Sequence, residues 1–153
     1  MFEDEAVNEV INRIHKLTPE TIPTWGKMKV EEMLAHCNVS YEMIYTNTHK
    51  RPNRFVRFML KTFIKSKVVE GKSYPKNGRT APQFLITTEK NFNIEKTRLL
   101  DFIAKTKSLG EAHFDQKESH SFGKLSKQQW SNSFYYHLDH HLTQFGANNL
   151  SST

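Results

Sequence analysis

The stretch Ser133–Gly146, SFYYHLDHHLTQFG, decides how this chain folds. It holds three of the eight histidines of the chain within five residues. An α-helix turns about 100° per residue, so this stretch and the residues just before it form a helix with one apolar face. The residues of that face are Trp130, Phe134, Leu138, His141 and Phe145. Such a face points into a core, and the stretch therefore predicts a helical fold built around it.

Two of these histidines, His137 and His141, are one helical turn apart and project together toward the core. A buried imidazole needs partners for its ring nitrogens. Two imidazoles at i, i+4 can reach one ion, and imidazole suits zinc, nickel, copper and iron. The alternative for the pair alone is that both are core histidines held by hydrogen bonds. Asp139 and His140 point off the face and are candidates for orienting the ligands. His120, just before this helix, is a further candidate that could reach the mouth of the bundle.

The boundaries of this helix are marked in the sequence. Ser126 and Gln129 have the spacing of a capping box, in which each side chain bonds the backbone N–H of the other residue. Gly146 is a natural stop, because glycine readily adopts the left-handed conformation that follows a helix. The sequence therefore predicts a helix over residues 127–145.

The composition is that of a globular chain with one core. The 153 residues are 37% hydrophobic and 25% charged, and we expect a single domain over residues 1–153. The only cysteine, Cys37, cannot form an internal disulfide, which favours a reducing compartment. The acidic start MFEDEAV is unlike a signal peptide, and no apolar run approaches about 18 residues. We therefore expect a cytoplasmic protein without a membrane span.

Apolar residues at helical spacing predict four further helices. They span residues 4–17, 29–47, 54–66 and 92–109. Asp4 is the expected cap of the first helix, and Gly110 is the expected stop of the last of these four. Residues 71–82 and 111–125 are predicted to be irregular.

His36 is the candidate third ligand. It is the only histidine inside the helix predicted over 29–47, and it lies on the flank of the apolar face. Taken alone, its position favours a flank residue held by a hydrogen bond. Its neighbour Cys37 points about 100° away and is predicted to lie in the core.

The position of His36 along the axis of its helix tests this assignment. At about 1.5 Å per residue, His36 lies about 10 Å from the start of its helix, and the midpoint of His137 and His141 lies about 10 Å from the end of theirs. These depths match if the two helices are antiparallel, and are offset by about 8 Å if they are parallel. The connection over residues 48–91 is long enough to cross the whole bundle. This favours an up-down-down-up four-helix bundle whose long crossover carries an extra short helix.

That short helix, RFVRFMLKTFIKS over 54–66, is basic on one side and apolar over the rest. Its basic residues are Arg54, Arg57, Lys61 and Lys65, and its apolar residues include Phe55, Met59, Phe63 and Ile64. The pattern could bind acidic lipid or nucleic acid. The alternative is a solvated face of a surface helix. We favour the alternative and do not expect nucleic acid as a partner.

Several motifs resemble the DinB-like metalloprotein superfamily, and within it a branch known only as a domain of unknown function. The specific motif is HLDHHLTQFG at His137–Gly146. The supporting motifs are WGKM at Trp25–Met28, MLAHC at Met33–Cys37 and FGKLS at Phe122–Ser126. The resemblance covers residues 3–146.

The resemblance implies an up-down-down-up four-helix bundle with a zinc or nickel ion on three histidines. One ligand comes from the second helix and two come from an H-x-x-x-H motif in the last helix. The matching positions here are His36, His137 and His141. One departure is Lys29, which stands where a capping serine or threonine is more usual.

Three hypotheses for function follow, and the least favoured is that the basic helix over 54–66 binds an anionic surface. Superfamily members include S-transferases that use low-molecular-weight thiols and a thiol-dependent isomerase, and three protein nitrogens leave a fourth position open, as in catalytic zinc sites. The first hypothesis is a metal-dependent enzyme of the S-transferase or hydrolase type, acting on a small-molecule substrate with a low-molecular-weight thiol or with water. The alternative is a non-catalytic, metal-binding or stress-related interaction protein. The reaction, the general base and the oligomeric state are left open, a homodimer included.

Overall fold

The protein is mostly helical over the residues that the computed structural model describes, which are 1–72 and 74–148. The α-helices are α1 (Asp4–His15), α2 (Val30–Tyr45), α3 (Arg54–Phe63), α4 (Lys65–Val69), α5 (Phe92–Phe114) and α6 (Lys127–Gln144). A 3₁₀ turn at Pro82–Phe84 lies between α4 and α5, and strands β1 (Lys117–Ser119) and β2 (Gly123–Leu125) pair as an antiparallel hairpin. Across the described ranges, we find no helix long and apolar enough to cross a membrane.

The core lies between the four longest helices, α1, α2, α5 and α6, each of which packs against at least two of the others. Its centre is aromatic. The Tyr41 ring of α2 stacks on Phe102 of α5 and on Phe134 of α6, with ring centroids 5.6 and 5.2 Å apart. Such pairs stabilise a fold by about 0.5–1.5 kcal/mol beyond the area that they bury. The stack therefore ties three helices together beside the histidines.

α2 and α6 run in opposite directions. The early α2 residue His36 contacts His141 near the end of α6, with ring centroids 4.5 Å apart. Farther along α2, Tyr41 contacts Phe134, which lies earlier in α6. This is the antiparallel arrangement that the helix-depth argument requires.

α5 runs in the same direction as α2. Near the start of α5, the Glu95 carboxylate accepts a hydrogen bond of 2.8 Å from Asn38 Nδ2. Farther along both helices, the hydroxyl groups of Tyr45 and Thr106 are 2.7 Å apart. The connection between these two helices therefore returns along the length of the fold, as a crossover does.

α1 runs in the same direction as α6 and is fixed to it by the buried Arg13. The Arg13 guanidinium donates to Asp139 Oδ1 at 2.7 Å and to the carbonyl of Ala147 at 2.6 Å. One turn earlier in both helices, the Tyr135 hydroxyl donates to Glu9 at 3.0 Å. Because Arg13 is only 2% exposed, these bonds are what makes a buried cation tolerable.

The predicted capping box of α6 is confirmed. The Gln129 N–H donates to Ser126 Oγ at 3.3 Å, and the Ser126 N–H donates to Gln129 Oε1 at 3.1 Å. The prediction that Asp4 caps α1 is wrong, because Asp4 is the first helical residue and Glu3 is the N-cap. Asp4 instead forms an ion pair with Lys107 of α5.

Two segments differ from the expectation. The helix predicted over 54–66 is divided at Ile64, where φ is −112°, into α3 and α4. The segment 111–125, predicted to be irregular, holds the last turn of α5 and the β-hairpin. Gly110 has the left-handed φ of +72° expected of a helix stop, but a helical turn resumes after it and buries Phe114. Strands of three residues are too short to show apolar alternation in a sequence.

Candidate metal centre

Three histidines converge where the beginning of α2 meets the end of α6. Three ring nitrogens lie within 4.8 Å of one another, one each from His36, His137 and His141. His36 and His141 are 6% and 8% exposed, so the cluster lies inside the protein. The convergence predicted from helix depth is therefore present, whereas metal binding by these residues stays a prediction.

His36 is oriented by the crossover between α4 and α5. Its Nδ1 lies 3.0 Å from the backbone carbonyl oxygen of Phe84, in the 3₁₀ turn. A carbonyl oxygen can only accept, so the neutral ring carries its proton on Nδ1 and donates it there. The lone pair of His36 Nε2 is therefore directed toward the other two histidines.

His141 is oriented by a relay through Gln144. The Gln144 amide donates through Nε2 to the Trp25 carbonyl at 2.9 Å, so its Oε1 faces the histidine. His141 Nδ1 lies 2.9 Å from that oxygen and donates to it. This leaves Nε2 of His141 without a proton as well. The relay joins α6 to the segment before α2, where Thr24 also bonds the Gln144 carbonyl at 2.8 Å.

The two ring nitrogens of His137 contact the His36 ring and the Ser40 hydroxyl. Its Nε2 is 3.0 Å from Nε2 of His36, and its Nδ1 is 3.0 Å from Ser40 Oγ. Because His36 Nε2 carries no proton, His137 donates through Nε2 and accepts at Nδ1 from the serine. A hydroxyl both donates and accepts, so Ser40 also suits the opposite tautomer, in which His137 Nε2 carries no proton.

Burial keeps the three histidines neutral. It lowers the pKa of His141 to about 3. Burial also lowers the pKa of His36, an effect that the bond to the Phe84 carbonyl opposes. The pKa of His137 is lowered well below its usual value, first by burial and then by its histidine neighbours. Neutral imidazoles with available lone pairs are the form that binds metals, so no proton has to leave a cation first.

Aromatic side chains from the loops cover the cluster. The Phe84 ring lies 5.3 Å from the His36 ring and 6.0 Å from that of His137. The Tyr74 ring lies 6.1 Å from the His137 ring, and burial raises the pKa of its hydroxyl to about 12. Trp25 lies near the edge of the cluster, with Lys76 Nζ 4.3 Å from its ring centroid. The site is therefore apolar, with a cation at its edge.

The remaining candidates from the sequence fall into two groups. His140 is at the site: its ring is 5.0 Å from the His141 ring and 5.7 Å from that of Tyr74. Asp139 is not, because its carboxylate accepts from Arg13 of α1. His120 lies beside the hairpin, where its Nε2 donates to the His49 carbonyl at 3.2 Å.

Cys37 is a core residue, as predicted. It is 1% exposed, and its Sγ lies 3.8 Å from the sulfur of Met33. Burial raises the pKa of the Cys37 thiol well above its usual value, so the thiol stays protonated and unreactive.

The groups that orient the ligands were not predicted from the sequence. Ser40 is one turn after His36 and Gln144 is three residues after His141, and this helical spacing is a signal that could have identified both. The Phe84 carbonyl could not be identified from the sequence, because a backbone oxygen is present whatever the residue type. Its position depends on how the crossover folds back over α2.

The donor set fits a divalent transition metal. Three imidazoles suit zinc, nickel and similar ions, and three protein ligands are typical of sites that keep one position for water or a substrate. His36 and His141 already have the tautomer that can bind a metal through Nε2, because the Nδ1–H of each ring donates to an oxygen. Within the described residues, this is the group of side chains that could hold a metal ion.

Comparison with known proteins identifies a family. The family model described as "Protein of unknown function (DUF1569)" matches residues 2–148. No curated protein and no solved structure gives a significant match. Because the family match covers nearly the whole chain, the chain belongs to the DUF1569 family.

Proposed function

We propose that this member of the DUF1569 family binds one divalent metal ion, zinc or nickel, through Nε2 of His36, His137 and His141. The observation that carries the proposal is the pair of oriented tautomers. The Phe84 carbonyl and the Gln144 side chain each hold a Nδ1–H, which directs two Nε2 lone pairs at one point. Core histidines held only by hydrogen bonds would not need three rings to converge within 4.8 Å.

We also propose that the whole chain is one domain of the DinB-like type, with an up-down-down-up four-helix bundle. The support is the direction of the helices: α2 and α5 run together, and so do α1 and α6. The connection from Thr46 to Asn91 carries α3, α4 and the 3₁₀ turn, in agreement with a crossover.

The site suits a metal-dependent enzyme of the S-transferase or hydrolase type. A bound divalent ion would supply Lewis-acid chemistry, favouring the deprotonated form of a thiol or of water at neutral pH. Tyr74 and Phe84 exclude solvent, which strengthens electrostatic interactions inside the site. His140 lies close enough to accept or donate a proton at the edge of the site. A small-molecule substrate with a low-molecular-weight thiol fits this arrangement.

A second candidate is a metal-binding protein without catalysis. The observation that favours it is the depth of the site, since His36 and His141 are almost fully buried and aromatic rings lie over them. In this case the ion mainly holds the ends of α2 and α6 together.

The metal content of purified, untagged protein tests the assignment. We expect about one zinc or nickel ion per chain in the wild type and in His140→Ala, and none in His36→Ala, His137→Ala or His141→Ala, because loss of one of three ligands removes the site. Circular dichroism would establish that each variant is folded. Equal metal content in all five proteins would overturn the assignment.

Turnover separates the two candidate functions. The metal-loaded wild type would be screened with a small thiol and a set of electrophiles, and with ester and amide substrates. Activity that is lost in His141→Ala supports an enzyme. Undetectable turnover together with a metal-dependent melting temperature supports the non-catalytic protein.

A further inference from the structure

α3 lies outside the core and exposes large apolar side chains. None of its ten residues is buried. Phe55, Phe58 and Phe63 are 72%, 63% and 57% exposed, and Val56, Met59 and Ile64 are also exposed. Exposed apolar residues that occur singly are ordinary, but six within ten consecutive positions form a patch. A patch of this kind marks an interaction surface.

The same segment is strongly basic. Residues 43–69 contain seven lysines and arginines and no acidic residue. The positive residues are Lys50, Arg51, Arg54, Arg57, Lys61, Lys65 and Lys67. Arg57 forms an ion pair with Glu118 of β1, and Lys65 donates to the Lys124 carbonyl of β2 at 3.4 Å. These two cations are therefore directed at the hairpin, and the other five, which are exposed, are the ones suited to a polyanion.

The apolar and basic residues are segregated around the helix. At about 100° per residue, the three basic residues of α3, Arg54, Arg57 and Lys61, fall within about 60° of arc. Phe55, Met59 and Phe63 fall within about 80° on the opposite side, and Phe58 lies between the two arcs. This is the pattern of a helix that lies flat at an interface between water and an apolar phase.

α3 is held in place by its neighbours. α4, which follows it, packs on α6, and the Asn132 side chain of α6 donates to the Val69 carbonyl at 2.9 Å. The Arg57–Glu118 ion pair links α3 to the hairpin that precedes Lys127. Lys127 begins α6, about 15 Å along the helix from His137. The exposed face is therefore presented by a fixed element at the end of the fold away from the histidines.

We propose that α3 docks the protein on an anionic phospholipid surface. The cations would lie at the phosphate groups, and the phenyl and methionine side chains would enter the boundary of the acyl chains. The exposed apolar side chains and the exposed cations Arg54 and Lys61 then each face the chemistry that suits them. This inference does not depend on the metal-binding proposal.

Nucleic acid and a second copy of the chain each account for only one part of the α3 surface. Nucleic acid would satisfy the cations but would leave most of the apolar face in water. A second copy of the chain would cover the apolar face but would leave the cations on the opposite side of the helix without a counter-charge. Of these three occupants, an anionic lipid surface is the one that satisfies the charge and the apolar face at once.

The test is binding of the full-length protein to vesicles, measured by flotation. Two vesicle types are needed, phosphatidylcholine alone and phosphatidylcholine with phosphatidylglycerol. The apolar variant is Phe55→Ser/Phe58→Ser, and its matched control is Ile22→Ser/Ile94→Ser, which removes two exposed apolar side chains from other elements.

A second pair of variants tests the charge. The charge variant is Arg54→Gln/Lys61→Gln, and its control is Lys16→Gln/Lys27→Gln, which removes two exposed cations outside the segment. Circular dichroism and metal content would establish that all four variants retain the fold and the histidine site.

We expect the wild type and both controls to bind only the anionic vesicles, and both α3 variants to bind them about tenfold more weakly or less. Added salt should weaken wild-type binding. Failure of the wild type to bind, equal binding to both vesicle types, or unchanged binding by the Phe55→Ser/Phe58→Ser variant would each overturn the proposal. So would binding of the wild type to a labelled RNA but not to vesicles, or a lipid-free dimer that this variant abolishes.

Discussion

Hydrogen bonds to individual side chains decide which atoms the histidines present. Ser40 lies 3.0 Å from His137 Nδ1, on the side of the ring away from His36. The hydroxyl donates in the tautomer that the hydrogen bonds indicate and can accept in the tautomer that a metal requires. The residue therefore allows the ring to change tautomer without leaving a buried nitrogen unpaired.

Removal of this hydroxyl should weaken metal binding without unfolding the protein. We expect Ser40→Ala to lower metal affinity by about 10–100-fold, the usual effect of losing a partner of a ligating histidine. Competition with a chromophoric chelator would measure the affinity, and Ser108→Ala, an exposed position on α5, is the control. Identical affinities for the two variants would show that Ser40 does not orient the ligand.

Gly26 and Gly110 provide a second comparison at single residues. Both have a positive φ, +83° and +72°, so alanine at either position should destabilise the fold by about 1–2 kcal/mol. A Cβ on Gly26 would also lie 2.7 Å from Gln144 Nε2, whereas a Cβ on Gly110 has no atom within 4 Å. Gly26→Ala should therefore displace Gln144 from His141 and weaken metal binding, whereas Gly110→Ala should affect only stability.

Urea denaturation and metal titration of both variants would measure the two effects. Unchanged metal affinity in Gly26→Ala would mean that the relay through Gln144 is not needed for binding.

At the scale of elements, α2 is joined to α5 by a cluster of charges. Glu42 accepts hydrogen bonds from Arg98 of α5 and from His49, whose Nε2 lies 2.7 Å from the carboxylate. Arg98 also donates to Glu95 at 2.8 Å. The cluster fixes the end of α2 before the crossover begins, and so it sets the direction in which the chain leaves toward α3.

This cluster should make stability depend on pH. Burial alone raises the pKa of Glu42, but hydrogen bonds from His49 and Arg98 outweigh it and lower the pKa from 4.5. A carboxylate with a lowered pKa in the folded state stabilises the fold above its unfolded pKa, and this contribution is lost as the pH falls through the folded value. In Glu42→Gln the contribution should be absent throughout.

Urea denaturation of the wild type and Glu42→Gln at about pH 6 and about pH 3 would test this linkage. We expect the difference in free energy of unfolding between the two proteins to shrink at the lower pH. A difference that stays constant would contradict the expectation.

At the scale of the whole molecule, a bound ion should raise stability, because it binds the folded chain. Free metal at 100 times the dissociation constant adds about 2.7 kcal/mol, which corresponds to a rise of roughly 5–10 °C in melting temperature for a domain of this size. A chelator should therefore lower the melting temperature of the wild type and leave that of His141→Ala unchanged. An equal response of both proteins would place the chelator's effect outside this site.

Most of the helices, and the meeting of the histidines, could be predicted from the sequence. The capping box at Ser126 and the apolar face of α6 are local patterns, and the position of His36 along α2 depends only on helix rise. The division at Ile64 and the hairpin were not predictable in this way. The strands of the hairpin are three residues long, too short to show apolar alternation, and no glycine or proline marks the division at Ile64 in the sequence.

The exposure of Phe55 and its neighbours also lay beyond the sequence. A helix with an apolar side is normally expected to bury that side, and only the three-dimensional arrangement shows that α3 stands outside the core. The oxygen that holds His36 was likewise hidden, because the path of the crossover selects the Phe84 carbonyl rather than any side chain.

The relay from His141 through Gln144 to Trp25 has a consequence for the order of folding. The bond from Gln144 to the Trp25 carbonyl joins residues 119 positions apart, and the contact between His36 and His137 spans 101 positions. Closing loops of this length carries an entropic cost, so such contacts form late compared with the local turns of each helix. Nearly the whole polypeptide must have emerged and collapsed before three nitrogens can meet. On the metal-binding proposal, a nascent or truncated chain would therefore be a poor competitor for scarce metal, and uptake of an ion would report that assembly is finished.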